Sequence, residues 1–468
     1  MTPRASVAAV GAEDGIAGTV ARLRAGFDSG RTRPIEWRLQ QLGRFSEMVA
    51  ENEEAMFGAL KSDLGKSAFE GWAGETYLIA GELKHARKHL ASWMRPKRVR
   101  TPLLAQPGVS KVYAEPLGVV LNIAPWNYPI QLALAPLIGA IAAGNSVVLK
   151  PSEVAPACSA LLARLLPRYL DPECVAVIEG GVPETTRLLE QRFDHIFYTG
   201  NGTVGRIVME AAARHLTPVT LELGGKSPCI VDEDVDLEVA ARRIVWGKFF
   251  NAGQTCIAPD YVLCHASREA QLIEQMKKVL IEFYGEDPKA SPDYGRIINE
   301  RHHARLSKLI ASGELAAGGQ SDPTDKYIAP TVLRKVDPAS PVMADEIFGP
   351  ILPVLTVPDL DAAITFINAR DKPLALYLFS RNAEHVERVL QRTSSGGACV
   401  NDVMAHLIPH ELPFGGVGAS GMGAYHGHAS FETFTHKKSV MAKATFLDPS
   451  IRYPPYTPGK TKWAKRLA

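Results

Sequence analysis

The distribution of apolar positions divides the chain into three stretches. Among the charges of residues 15–100, Trp37, Leu39, Leu42, Phe45, Met48 and Val49 recur at helical spacing, so this stretch reads as helices. A Pro- and Val-punctuated segment at 101–116 reads as extended. Short apolar runs then alternate with helical patterns at 147–149, 161–170, 175–178, 195–198, 204–213 and 219–223. That is a βαβ rhythm and predicts a doubly wound sheet. A second alternating region covers 230–400, with strands at 261–265, 351–357 and 374–379. Residues 401–468 are rich in Gly, Pro and His and read as returning loops and an arm.

Residues 116–149 carry no charge and are long enough to cross a bilayer. Pro125, Pro129 and Pro136 interrupt the stretch, however, and Asn122, Asn127 and Asn145 would carry unpaired amides into lipid. The reading that accommodates them is a buried strand (118–123), a loop, a helix (130–143) and a second strand (146–149). Continuous apolar strands of this kind belong to parallel sheets covered on both faces.

Composition narrows the classes further. A chain of 468 residues exceeds one ordinary core, so more than one domain is expected. With 52 Lys+Arg against 50 Asp+Glu, nothing general favours nucleic acid. The basic residues Arg452, Lys460, Lys462, Lys465 and Arg466 mark a solvated tail. Six cysteines without a CxxC pair give neither a disulfide framework nor a zinc-ligand spacing, so no metal is expected. No secretory signal pattern is visible at the N-terminus, and the expectation is a cytoplasmic protein with free thiols.

Three places carry chemistry. Gly200, Gly202 and Gly205, with Asn201 among them, fit G-x-G-x-x-G between an apolar strand and a helix, where backbone N–H groups can approach a pyrophosphate. Glu222 lies twenty residues beyond Gly202, the place of a ribose-binding acid, yet it ends an apolar strand before Gly224-Gly225-Lys226. The strand suggests a carboxylate facing a site; the spacing permits a ribose ligand as well. Cys256 follows a helix that starts near Asp236 and is expected to stop at Gly253, on a polar loop that suits a nucleophile. The other five cysteines sit in apolar patterns and read as core. Asn127, in Pro125-Trp126-Asn127, places an amide at the C-terminal end of a strand, where open α/β sheets bind ligands.

Pro125-Trp126-Asn127, Lys150-Pro151-Ser152-Glu153, Glu222-Leu223-Gly224-Gly225-Lys226, Gly253-Gln254-Thr255-Cys256 and Glu346-Ile347-Phe348-Gly349-Pro350 together resemble the aldehyde dehydrogenase superfamily over nearly the whole chain. The ending, with Phe431-Glu432-Thr433-Phe434 and Arg452-Tyr453-Pro454-Pro455-Tyr456, resembles its class 3 branch of fatty- and aromatic-aldehyde enzymes. The resemblance implies an α/β fold of two doubly wound domains plus a small β oligomerisation arm. Residues 1–101 and 119–224 would form the dinucleotide-binding domain and 225–405 the catalytic domain. Residues 102–118 and 406–450 would bridge subunits, with 451–468 as a basic tail.

The resemblance also implies roles. Cys256 would attack the aldehyde, the Asn127 amide and the cysteine's N–H would hold the oxyanion, and hydride loss from the thiohemiacetal would leave a thioester. Glu222 would activate water to release the carboxylic acid. Lys150 and Glu153 would hold the adenosine ribose, Glu153 favouring NAD although class 3 relatives often use NADP too. Trp126, Glu346 and Phe348 would meet the cofactor as well, the last two at the nicotinamide. Gly202, where many relatives carry Ser or Thr, implies looser pyrophosphate holding, and Ile257 offers no second thiol beside Cys256. Tyr128 and Trp246 would line an apolar entrance, or else serve as core aromatics. The expected partner is a small aldehyde, medium- or long-chain aliphatic or aromatic, and the expected assembly a homodimer without a transmembrane segment. A cysteine thiol esterase without redox chemistry, or a silent protein keeping the fold, are the alternatives that the residues leave open.

Overall fold

The computed structural model describes residues 15–467. The first fourteen residues, read above for a signal, and Ala468 lie outside that range. A six-stranded sheet runs in the order Gly421–Met422, Val219–Glu222, His195–Thr199, Val119–Ile123, Ser146–Lys150 and Val175–Val177. All neighbours are parallel except the short Gly421–Met422 strand. Every residue of the strands Val119–Ile123, Ser146–Lys150 and His195–Thr199 is buried, as unbroken apolar runs require.

The uncharged stretch resolves as the sequence predicts, into strand, loop, helix and strand. Its helix, Gln131–Ala143, is buried at all 13 positions and packs against Tyr77–Trp93, Ile35–Glu51 and Gly427–Thr433. It is too short for a membrane. Among the described residues no helix is long and apolar enough to cross one.

A seven-stranded sheet follows, in the order Glu314–Ala317, Thr331–Arg334, Ile351–Val357, Tyr261–His265, Pro228–Val231, Ala375–Phe379 and Gly397–Val400. Only its first pair is antiparallel. The third sheet is an antiparallel ribbon of Lys97–Val99, Gly108–Pro116 and Thr435–Lys443. Two doubly wound sheets and a β arm are the architecture expected from the resemblance.

The C-terminal stretch, which the sequence reads as returning loops and an arm, supplies a strand of the ribbon, and its basic tail adds a helix that the pattern does not predict. Thr435–Lys443 pairs with Gly108–Pro116 over nine consecutive positions, and the basic tail ends in a helix, Pro458–Leu467. Both elements are largely solvent-exposed, so neither shows the apolar alternation or stripe by which sequence reveals a half-buried strand or helix.

The ribbon is moored to the first sheet by Asn145, which is fully buried. Its Oδ1 accepts from the Gly118 N–H (2.9 Å), and its Nδ2 donates to the carbonyls of Phe434 (2.9 Å) and Ala140 (3.2 Å). Asn145→Ala takes the side-chain partner from the Gly118 N–H and the Phe434 carbonyl in one step, while the Ala140 carbonyl keeps the Asn145 N–H. A destabilisation of about 3 kcal/mol is expected, read as a lower urea midpoint.

Candidate active site

The first half of the site is built on the carboxyl ends of the six-stranded sheet. Strand His195–Thr199 ends at Gly200, whose N–H donates to the Glu222 carbonyl (2.9 Å). Asn201 caps the following helix, Gly202–Ala213, its Oδ1 accepting from the Val204 N–H (3.0 Å). A Cβ at Gly200 would collide with the Tyr198 hydroxyl, and one at Gly205 would press on Leu223. At Gly202 a Cβ would meet nothing nearer than Arg206 at 3.5 Å, so the helix N-terminus keeps an open approach. That is a cradle in which a pyrophosphate fits. Beside it, Lys150 ends its strand with Nζ 2.6 Å from Glu153 Oε2; the lysine side chain is buried and the glutamate is exposed to solvent.

Glu222 ends the neighbouring strand. It is buried, neither carboxylate oxygen has a hydrogen-bond partner, and burial pushes its pKa well above the ordinary carboxylate range. Its charge is felt at Cys256. The Cys256 thiol is raised first by burial, then by the Glu346 and Glu222 carboxylates, while its own N–H and that of Ile257 act in the opposite direction. The remaining cysteines are also free: Cys158, Cys174, Cys229 and Cys264 are buried, as the apolar patterns predict, and Cys399 is half-buried.

The helix before Cys256 stops earlier than the glycine indicates. Leu237–Phe249 is followed by Asn251, Ala252 and Gly253, all left-handed (φ 53°, 51° and 73°). A Cβ at Gly253 would collide with the Gly349 backbone, so this position must be glycine. The strained turn is held by side chains: the Asn251 N–H donates to Glu70 Oε1 (2.9 Å) and Asn251 Nδ2 to the carbonyls of Asn127 (2.9 Å) and Gln254 (3.1 Å). Gln254 in turn donates to the Arg296 carbonyl (3.0 Å) and accepts from the Ile298 N–H (2.9 Å).

Asn127 meets this loop directly, its Nδ2 donating to the Gln254 carbonyl (3.1 Å). Among the described residues the second N–H of the same amide has no acceptor, which leaves it available to a ligand. Tyr128 is buried against the same loop, its hydroxyl 2.6 Å from Thr255 Oγ1, in a small apolar cluster with Leu132 and Phe250 that Ala73 and Met404 border. Trp246 lies partly exposed against Phe250, with ring centroids 5.4 Å apart.

The last element is the short helix Pro341–Ala344 with the loop that follows it. Lys226 ion-pairs with Asp260 and donates to the carbonyls of Val342 (2.9 Å) and Asp345 (2.8 Å); Asp260 accepts from the Ile347 N–H (2.9 Å). Phe348, at φ 49°, sets its ring edge-on to Trp126, 5.3 Å between centroids. Glu346 is not a solvated turn residue. Its carboxylate closes over Gly224, and its pKa is raised from 4.5 to about 8, by burial first and then by Asp260. Sequence reasoning singled out neither Lys66, Glu75, Asn251 nor Gln254 as site residues. Among the described residues no group of three or more His, Cys, Asp or Glu is placed to hold a metal ion.

A thiol, a carboxylate without a hydrogen-bond partner among the described residues and a half-engaged amide are the groups that a thiol-based enzyme needs. Comparison with known proteins gives the class: the chain matches the model of the Aldehyde dehydrogenase family over residues 2–440, and it belongs to that family. Mouse "Aldehyde dehydrogenase family 3 member A2" is 53% identical over 448 residues, 95% of this chain and 93% of that protein. Rat "Aldehyde dehydrogenase, dimeric NADP-preferring" is 53% identical over 442 residues, 94% of this chain and 98% of the relative. A solved structure described as "Substrate bound state of Staphylococcus Aureus AldH" superposes with TM-score 0.95 at 48% identity, covering 97% of this chain and 99% of the other. The chain is an enzyme that oxidises aldehydes with NAD(P), which decides between the redox and hydrolase readings left open by the residues.

Glu346 makes the pocket sensitive to pH. A carboxyl whose folded pKa is raised from 4.5 to about 8 contributes stability that is present below its unfolded value and lost as pH rises through the folded one. In cofactor-free protein, Glu346→Gln removes that loss. The variant's thermal midpoint is expected to gain on the wild type between pH about 5 and about 9, and parallel curves would refute the burial of this charge.

Proposed function

We propose that Cys256 is the nucleophile, Asn127 and the Cys256 N–H the oxyanion donors, and Glu222 the general base. The observation that carries this reading is the Glu222 carboxylate, enclosed without a hydrogen-bond partner and electrostatically coupled to the Cys256 thiol. A thiol raised by burial needs a base at the moment of attack, and a carboxylate raised by burial is a competent one. As Sγ bonds to the carbonyl carbon, the thiol proton passes to Glu222 and the carbonyl electron pair moves to oxygen, where the free Asn127 N–H stabilises it. NAD(P), when bound, supplies the ring that accepts hydride from the substrate carbon. Glu222, having returned its proton to solvent, then takes one from a water molecule that attacks the thioester; the C–S bond breaks and the acid leaves. The same burial disfavours the ribose role for Glu222.

The residues around the cradle fit the cofactor: Gly200, Asn201, Gly202 and Gly205 at the pyrophosphate, Lys150 and Glu153 at the adenosine ribose, and Trp126, Glu346 and Phe348 at the nicotinamide end. Glu153, exposed beside Lys150, favours NAD over NADP by repelling a 2′-phosphate. The substrate reading is a medium- or long-chain aliphatic or aromatic aldehyde, supported by the apolar cluster of Tyr128, Leu132 and Phe250 behind Thr255, with Trp246 at its rim.

The assembly reading is a homodimer. It is supported by the word "dimeric" in the rat relative's name and by the exposed strand Thr435–Lys443, which pairs on one side only. Six free thiols fit a reducing cytoplasm.

Cys256→Ala is expected to abolish aldehyde-dependent NADH formation. Glu222→Gln is expected to retain a stoichiometric burst of NADH and then turn over slowly, with the alkaline-going rise of the deacylation rate flattened. Asn127→Ala is expected to lower kcat about 100- to 1,000-fold. Full turnover in Cys256→Ala would end the reading. In a screen of alkanals and benzaldehydes, kcat/KM is expected to rise with chain length, and a preference for short polar aldehydes would contradict the substrate assignment.

A further inference from the structure

We infer that Lys66 and Glu75 form a positioning clamp for the oxyanion amide, acting through the main chain of residues 127–131. The inference rests on the reading of Asn127 given above.

Both side chains have no solvent exposure, and Lys66 Nζ lies 2.6 Å from Glu75 Oε1. Their remaining hydrogen-bonding capacity goes to the break between strand Val119–Ile123 and helix Gln131–Ala143. Lys66 Nζ donates to the Asn127 carbonyl (2.9 Å). Glu75 Oε2 accepts from the N–H groups of Ile130 and Gln131, both at 2.9 Å. One ion pair thus holds both ends of the same short loop. Between them Tyr128 presents its ring to Lys66 Nζ, 4.0 Å from the centroid.

The local backbone serves this arrangement. Lys66 follows Gly65, left-handed at φ 68°, which closes the helix Glu53–Leu64 and turns the chain inward. Glu75 lies in a π-helical turn, Trp72–Thr76, between two α-helical segments. Such turns displace a side chain from the ordinary helical register and are common at functional sites.

The consequence for the reaction follows from what the Asn127 carbonyl does. It accepts from Lys66 on one side and from Asn251 Nδ2 on the other, and Asn251 belongs to the left-handed turn before Cys256. The Asn127 amide then engages Gln254 through one N–H, which leaves the direction of the other fixed. Without Lys66 the carbonyl keeps one donor, the peptide plane at 127 is free to rock, and the free N–H loses its aim. An oxyanion donor displaced by a fraction of its hydrogen-bond length loses most of its effect.

The pair can be removed without stranding a charge by Lys66→Met combined with Glu75→Gln, which keeps the volume while deleting the lysine's donors. In this double variant the thermal midpoint is expected to fall, because buried polar groups lose partners, while NAD affinity, by Trp quenching, stays close to wild type. Its kcat/KM for an alkanal is expected to fall about 100-fold. In an Asn127→Ala background the same pair of substitutions is expected to cost no further activity, because the effect passes through that amide.

Wild-type kcat/KM in the double variant, with Asn127→Ala impaired, would overturn the clamp and leave the proposed mechanism standing. Multiplicative losses in the triple variant would overturn it too. Wild-type turnover in Asn127→Ala would overturn the mechanism itself and the clamp with it. Should the double variant not fold, Glu75→Gln alone is read against Asn127→Ala in the same way: non-additive loss supports the clamp and additive loss refutes it.

Discussion

A reciprocal pair of hydrogen bonds joins the two loops of the candidate site: the Asn127 amide donates to the Gln254 carbonyl, and Asn251 Nδ2 donates back to the Asn127 carbonyl. Asn127 belongs to the first sheet, at the break where a buried strand gives way to a buried helix. Gln254 belongs to the second, in the turn that delivers Cys256. Neither segment is regular structure, so neither is held by a ladder or a helix of its own. Each backbone group there must find a partner individually, and the partners are side chains: Lys66, Glu75, Asn251 and Gln254. The thiol and the amide are set at a common point because these contacts leave the two loops little freedom relative to each other.

Burial acts on the ionisable groups of the pocket in a single direction. Glu222, Glu346 and Cys256 are all pushed toward their neutral forms, with desolvation the largest cause for each. No lysine or arginine is among the groups that act on the thiol: Lys226 is committed to Asp260 and to the carbonyls of Val342 and Asp345. In the proposed arrangement, a positively charged ring bound in this space would favour the ionised form of all three groups.

Much of this was legible in the chain and some of it was not, for identifiable reasons. The strands Tyr261–His265 and Ile351–Val357 match their predicted limits because both are apolar runs covered on both faces. Cys256, Glu222 and Asn127 stand out because each is a polar residue at the end of an apolar element. The end of the helix before Cys256 was misplaced because three left-handed residues follow it, and two of them are not glycine. Their conformation is imposed by Glu70 and by Asn127, residues distant in sequence. Lys66 and Glu75 look in sequence like ordinary charges on solvated helices. Only the fold shows that they point inward, at a loop more than fifty residues away. The exposed strand Thr435–Lys443 shows no alternation because it has little core side to alternate with.

The use of a charged pair beneath the Asn127 amide, where apolar residues would be easier to bury, follows from the same requirement. A buried ion pair is weak evidence of stability, since desolvation offsets most of its attraction and well-packed hydrophobes often do as well. Here, apolar side chains at 66 and 75 would leave the Ile130 and Gln131 N–H groups, at the start of a fully buried helix, without acceptors. They would also leave the Asn127 carbonyl with Asn251 alone. A neutral polar residue can serve one of these groups but not all of them. A carboxylate accepting two N–H bonds on one oxygen and an ammonium on the other, with that ammonium reaching onward to the carbonyl, satisfies the whole break using two side chains. The pair is thus selected by the geometry of the loop it holds, and the loop by the position of the amide.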